Sequence, residues 1–324
     1  MDIKIHRGLK QIGGCITEIS TETSRVFIDF GQNLPGNGKP ANPTEDKELV
    51  TRIFAQNKKL HEAVFYSHGH EDHVGLFEYI PNDVPQYMSK GTNELLQIKY
   101  DVLCTGAELM MSDTLNKECD SQDNSIATIL LDAADKKCKL LKKMVVWERC
   151  SPRKAPESIS VGDIKITPFF NCHSIYDSHM FLIEADGKRI WHTGDYRGHG
   201  YMGKGLFPTL KKYATDIDVL ITEGTMLKRT DKCIHEHEVS MKMASVMNAF
   251  KYVFVLASAT DIERLATVKE AAKQAQKPLC IWSLFMKKTM EFFTQREAKL
   301  SRGLFDFKPL FFSYKMFNKL KRGG

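Results

Sequence analysis

No two cysteines in this 324-residue sequence are spaced as CxxC. The eight present are scattered, which argues against a disulfide framework or a zinc ribbon and for incidental thiols in a reducing compartment. No apolar run approaches a membrane span, and Met1-Asp-Ile-Lys-Ile-His6 has no apolar core of signal-peptide length, so a cytoplasmic chain without membrane contact is expected. An excess of either charge is small over most of the chain, since 46 Lys/Arg are nearly balanced by 40 Asp/Glu. The net charge is +6, but residues 301–324 carry six Lys/Arg against one Asp, leaving the remainder near +1. Such a basic end suits nucleic acid, and it equally suits a solvated terminus. Hydrophobic residues make up 42% of the chain, enough for one large or two ordinary domains, and helix-like and strand-like stretches alternate, which favours an α/β fold.

What stands out is residues 63–75. An apolar, β-prone run ends in Ser67-His68-Gly69-His70-Glu71-Asp72-His73, three histidines and an aspartate within six positions. Side chains two apart on an extended segment point the same way, so His68 and His70 can share one metal ion. Asp72 and His73 fall where the chain turns and can face a second ion. His and carboxylate donors suit zinc or a similar transition ion such as manganese. The alternative is a histidine-rich polar loop, but four such side chains are costly to bury with nothing to coordinate.

The motif His68-Gly-His70-Glu-Asp72-His73 resembles the HxHxDH signature of the metallo-β-lactamase superfamily, whose members are mostly metal-dependent hydrolases. Flanking residues narrow the resemblance to the β-CASP branch, which includes ribonuclease J. It implies an αββα metallo-β-lactamase-like sandwich over residues 1–225 and a partial β-CASP (βαβ) cap over 226–324. In chain order, residues 11–20 and 25–30 read as strands around a turn at 21–24, the second ending in Asp29-Phe30-Gly31. An aspartate there supports the metal site in the superfamily; read alone, Asp29 is a turn residue. Residues 32–42 read as a Gly/Pro-rich loop, 44–57 as a helix, 62–66 as the strand delivering the motif, and 74–80 as a short helix whose free N–H groups would face the site. A strand at 86–89, a helix at 92–111 and a weakly patterned segment at 112–135 follow. Strands are expected at 143–147, 157–161 and 163–170.

The last of these leads into Asn171-Cys172-His173-Ser174-Ile-Tyr-Asp177-Ser178, which resembles the family's HSxxDS segment. The resemblance makes His173 the third protein ligand of the first ion, with Cys172 a packing residue. A hairpin turning at Asp186-Gly187 delivers Thr193-Gly194-Asp195, whose aspartate bridges both ions in the superfamily. His192 and His199 stay open between substrate contact and structural use. A buried-type strand at 216–222 ends in Glu223-Gly-Thr225, which resembles the first β-CASP motif. Beyond it, a helix at 236–250, a strand at 252–256, a helix at 262–276, a strand at 279–282 and a helix at 286–294 form the cap-like pattern; His235 and His237 read as surface residues.

The resemblance thus implies hydrolysis by a hydroxide shared between two cations, with His68, His70 and His173 on the first and Asp72, His73 and Asp195 on the second. The substrate would be a phosphodiester, most often single-stranded RNA, with Lys and Arg neutralising phosphates. A small ester, thioester or lactam hydrolase on the same centre is one alternative; a non-catalytic chain that binds nucleic acid or a partner is another. β-CASP proteins continue into a returning segment with a further histidine ligand, and no histidine follows His237 here. The second ion is therefore expected to lack that ligand, with a longer parent protein, a shortened gene product or a partner chain as explanations. Exposed apolar edges and homo-oligomers are expected in consequence, and the five phenylalanines of 304–317 form a heavy apolar load.

Overall fold

A computed structural model describes residues 1–34, 42–149 apart from 116–120, 156–299 and 301–312; the side chains of 112–115 and 121–124 fall outside that description. The chain forms two compact units. One comprises Met1–Glu94, Leu140–Gly198 and Met202–Asp231, and the other Leu95–Lys139, His199–Tyr201 and Lys232–Gly324.

The first unit is built on two sheets. β1 (Asp2–Arg7), β2 (Ile16–Ser20), β3 (Ser24–Ile28), β4 (His61–Phe65), β5 (Gln86–Ser89) and β6 (Val145–Trp147) lie side by side in chain order. The first three pair antiparallel, and β3 to β6 pair parallel. The second sheet runs β11 (Val219–Ile221), β10 (Lys188–His192), β9 (Ser178–Ala185), β8 (Ile164–Asn171) and β7 (Ile159–Val161). Ile19, Val26, Ile28, Ala63 and Phe65 from the first sheet close against Ile164, Ile166, Phe181, Ile183 and Ile190 from the second, forming one buried core. A fully buried side chain of this size stabilises by roughly 1.5–3 kcal/mol, so this layer dominates the unit's stability.

Helices cover the outer faces. Asn42 caps α1 (Pro43–Ala55) by accepting the N–H groups of Thr44 and Glu45, with Pro43 at the first turn where its missing N–H is harmless. Phe54 of this helix packs on Phe27 and Phe30. On the second sheet, α5 (Leu206–Tyr213) lays Leu206 and Leu210 on Trp191, Met180 and Leu182. This is the αββα sandwich of the metallo-β-lactamase-like fold.

The details depart from expectation in instructive ways. β1 was not foreseen: Lys4, His6 and Arg7 mask its alternation, and such polar residues suit an edge strand. The helix expected at 74–80 starts earlier, as α2 (Glu71–Val74) with His70 at its N-cap position, so Asp72 and His73 are themselves helical; only a 3₁₀ turn follows at Phe77–Tyr79. β11 is an edge strand with Leu220 60% exposed, rather than buried. The weakly patterned 112–135 segment, expected as part loop and part helix, is helix where it is described, at the end of α3 (Lys90–Leu115) and in most of α4 (Ser121–Leu141).

In the second unit, α6 (Glu236–Ala249) and α7 (Ile262–Gln274) bury Ala244, Met247, Ala271 and Ala272 between them. Residues 252–256 are not a strand. Val253 and Val255 pack on that helix pair, but Tyr252, Phe254 and Leu256 project outward and no described strand pairs with the segment. A βαβ unit does form one step later: β12 (Cys280–Ile281) and β13 (Leu310–Phe311) pair parallel, with α8 (Leu284–Glu297) between them in the chain. Phe305 and Phe307 of the phenylalanine-rich segment are buried in this unit, whereas residues 32–42 and 304–317 lie partly, and 313–324 wholly, outside the described residues. No helix among the described residues is long and apolar enough to cross a membrane.

Candidate metal centre

The site forms where strand ends of both sheets meet. β3 hands over to Asp29, a buried residue in the left-handed region (φ 64°) that aspartate tolerates better than most. Its carboxylate accepts the Ser67 N–H at 2.7 Å and the Ser67 hydroxyl at 2.7 Å, and lies 2.8 Å from His73 Nδ1. Ser67 Oγ is also 2.9 Å from His68 Nδ1. Asp29 and Ser67 thereby hold both rings with their Nε2 atoms turned away from the shared carboxylate, the usual arrangement behind metal-ligating histidines.

The motif loop is then pinned by backbone. Phe30 N–H donates to the His73 carbonyl (2.8 Å), Gln32 N–H to Glu71 (2.8 Å) and Cys15 N–H to Asp72 (3.0 Å). Gly31 passes so close that an added Cβ would lie 1.6 Å from the Asp72 carbonyl oxygen. Arg7 clasps the supporting loops: its Nε donates to the Gly14 carbonyl at 3.0 Å, Nη1 to Asp46 at 2.6 Å, and Nη2 to the Gly31 carbonyl.

On the other sheet, Asn171 at the end of β8 donates to the carbonyls of Thr193 (3.0 Å) and Asp195 (3.1 Å), which ties the His173 and Asp195 segments together. Gly194, at φ 52°, makes the turn between β10 and Asp195, and its N–H donates to His192 Nδ1 at 3.2 Å.

Two groups of ligand atoms result, each within 4.8 Å: His68, His70 and His173, and His68, His73 and Asp195. His68 Nε2 lies 3.1 Å from His70 Nδ1. Asp195 stands between the groups, with Oδ1 3.4 Å from His73 Nε2 and Oδ2 3.6 Å from His173 Nε2. Asp72 Oδ2 is 3.7 Å from His73 Nε2. Five of the six residues expected as ligands fall in these two groups; Asp72 belongs to neither and reaches only the His73 edge, and Asp29 lies behind that ring. Glu223 stands apart from both groups, accepting the Tyr196 N–H at 2.9 Å.

The electrostatics test whether a cation fits. Burial holds the His68 imidazole well below its usual pKa and drops His173 to about 3, so both are neutral nitrogen donors at ordinary pH. Burial also opposes charge on His73, but Asp29 and Asp195 outweigh it and hold that imidazole well above its usual pKa. Burial raises Asp72, and it pushes against the Asp195 charge too, although contact with His73 brings Asp195 down to about 2. A site with neutral nitrogens on one side and three carboxylates round a single protonated imidazole on the other is short of positive charge. The donor set fits divalent metal ions.

A cavity of about 640 Å³ opens on the His73 side of the centre, lined by Asp72, His73, His192, Asp195 and Glu223 and rimmed by Leu9, Ile12, Leu227 and Lys228. His199 belongs to the second unit, where its carbonyl accepts the Glu236 N–H, while His235 and His237 are exposed and Cys172 is buried as expected of a packing residue. Ser67, Gly31 and Arg7 were not foreseen. Ser67 directly precedes the motif, but its role depends on Asp29, which is remote in sequence, and nothing local marks Arg7.

Sandwich and ligand constellation together define a metallo-β-lactamase-like fold carrying a candidate metal centre. No family model matches the sequence. The chain is 28% identical over 231 residues to an RNase J-like protein of Methanocaldococcus jannaschii, covering 69% of this chain and 42% of that protein. It is 26% identical over 195 residues to ribonuclease J of Helicobacter pylori, covering 59% of this chain and 22% of that protein. The chain thus spans less than half the length of these relatives. A crystal structure of an Enterococcus faecalis V583 protein shares the fold across 96% of this chain and 76% of its own, at 18% identity and a TM-score of 0.62. The resemblance to the ribonuclease J-like, β-CASP branch of the metallo-β-lactamase superfamily therefore extends well beyond the histidine motif.

Proposed function

We propose that this chain is a metal-dependent phosphodiesterase acting on single-stranded RNA, with residues 1–225 as its lactamase-like part and 226–324 as a partial β-CASP-like cap. The observation that carries the reading is Asp195, whose two carboxylate oxygens face different ligand groups, His73 on one side and His173 on the other. Such a carboxylate suits two cations held side by side, zinc or manganese by donor type. His68, His70 and His173 would hold the first; His73, Asp72 and Asp195 would hold the second. Bound there, divalent ions supply Lewis acidity and lower the pKa of water at the site.

The remaining work falls to the chain. Asp29 fixes the His73 ring through Nδ1 and keeps Nε2 directed at the site. Asp195, ionised well below neutral pH, keeps both groups in register. The cavity beside His73 admits the scissile group, and its rim offers apolar surface at Leu9, Ile12 and Leu227 with Lys228 for a phosphate. The names of the relatives support RNA as the substrate. Six described cysteines are free thiols, which suits a reducing cytoplasm.

The test is incubation of purified chain with end-labelled single-stranded RNA, with and without chelator, beside Asp72→Ala. Chelator-sensitive cleavage lost in the variant is expected. Intact RNA with cleavage of a chromogenic thioester or lactone would move the substrate class to small esters, and turnover of neither would remove the catalytic reading.

A further inference from the structure

The proposed mechanism leaves His192 unused, although it lines the cavity beside His73 and Asp195. It ends β10, paired in register with Phe181 on one side and Ile221 on the other, and is 7% exposed. Its Nδ1 accepts the Gly194 N–H at 3.2 Å. A neutral imidazole that accepts at Nδ1 carries its proton on Nε2. His179, one strand away, has the opposite arrangement: its Nδ1 is 2.9 Å from the Asp177 carbonyl, so the proton sits on Nδ1. Among the described residues nothing accepts a hydrogen bond from His192 Nε2. Nε2 is not among the buried side-chain atoms left without a partner, so it is open to the cavity that His192 lines, and a donor whose direction is fixed there is placed to meet an acceptor that enters the cavity.

We infer that His192 is a substrate-contacting residue whose Nε2–H donates a hydrogen bond to a phosphoryl oxygen of the phosphodiester in the cavity. This rests on the phosphodiesterase reading and adds to it a donor that no metal ligand supplies. The Gly194 N–H makes the donor dependable: it holds the ring and selects the tautomer at once. A preorganised donor of this kind needs no rearrangement as charge develops on the phosphoryl oxygens, which is where such bonds act most strongly. The same contact fixes the backbone just before Asp195, so His192 has a positioning role through Nδ1 and a binding role through Nε2, and these can be separated.

His192→Asn keeps an acceptor near the Nδ1 position and removes the distal donor; His192→Gln keeps an amide N–H near the Nε2 position. With bis(p-nitrophenyl) phosphate and metal-loaded protein, Asn is expected to lower kcat about 100-fold at unchanged metal content, with Gln recovering part of the loss. Independently, the imidazole ¹⁵N–¹H spectrum of wild type, with the His192 signal identified by its absence in His192→Asn, is expected to show an Nε2–H tautomer that shifts with inorganic phosphate. Wild-type kcat in His192→Asn would overturn the inference, as would an Nδ1–H tautomer, or phosphate that saturates without moving the signal or does not bind at millimolar concentration. If wild type cleaves no phosphodiester, the phosphodiesterase reading fails on that result alone, and the phosphate titration still decides whether His192 contacts phosphoryl oxygen.

Discussion

The two halves of the metal centre share His68 yet are built on opposite principles. The His68–His70–His173 group is nitrogen only, and burial has stripped its protons at His68 and His173. The His73 side gathers Asp29, Asp72 and Asp195 around one imidazole and holds a proton there against burial. The first half is ready for a cation as it stands; the second must lose the His73 Nε2 proton before a cation can take its place. Burial alone makes a neutral ligand nest, whereas clustered carboxylates make one that competes with protons.

The largest effect is expected of Asp195→Ala, which removes the carboxylate that faces both halves. Phosphodiester turnover is expected to fall by about 10³-fold or more, with metal content dropping to one ion per chain or fewer; two ions retained would show that Asp195 does not link the halves. Asp29→Asn acts directly on the His73 side, where Asp29 contacts Nδ1, and reaches His68 only through Ser67. It is expected to weaken metal binding on the His73 side about 10- to 100-fold and the His70 side less, measured by competition with a chromogenic chelator.

Acid sharpens the contrast in the metal-free chain. His173 and His192 titrate at about 3 and about 4 when folded but near 6.5 when unfolded, so below pH 6.5 the unfolded state binds more protons and their contribution to stability declines. His73 has the opposite sign: its contribution is complete below 6.5 and is lost as pH rises through its raised folded value. Burial depresses His68 and His179 as well, so four depressed histidines stand against one raised, and the Tm of metal-free protein is expected to fall between pH 6.5 and 4 in thermal melts at stepped pH. In His192→Gln that slope should be shallower. The smallest effect belongs to the second unit. Phe254, 87% exposed on a segment without a strand partner, is expected to tolerate Phe254→Ser within about 0.5 kcal/mol in denaturant melts.

That last contrast also marks what the sequence made legible. The metal motif was readable because its chemistry is local: His68, His70, Asp72 and His73 fall within six positions, and the strand that delivers them ends one residue from where the pattern places it. The Asp186-Gly187 turn was readable for the same reason, both residues adopting the positive φ that the pair signals. Residues 252–256 alternate like a strand, yet alternation records only that one face packs: Val253 and Val255 pack on helices, and among the described residues no strand pairs with the segment. The sequence pattern puts Asp72 and His73 at a turn, whereas the structure places both side chains on the four residues of helix α2, which present them equally well. The supporting web was invisible altogether. Ser67 to Asp29, Arg7 to Asp46 and the Gly31 contact with Asp72 each span roughly forty positions of sequence, and no local pattern encodes them.

These residues are proposed to hold two unequal divalent cations. Calorimetric titration of the metal-free chain with zinc at pH 7.5 tests it most directly, repeated in two buffers of different ionisation enthalpy to count protons released. Two binding events are expected, the weaker releasing a proton from His73 and disappearing in Asp72→Ala. A single event, or two that survive loss of both Asp72 and His70, would contradict it.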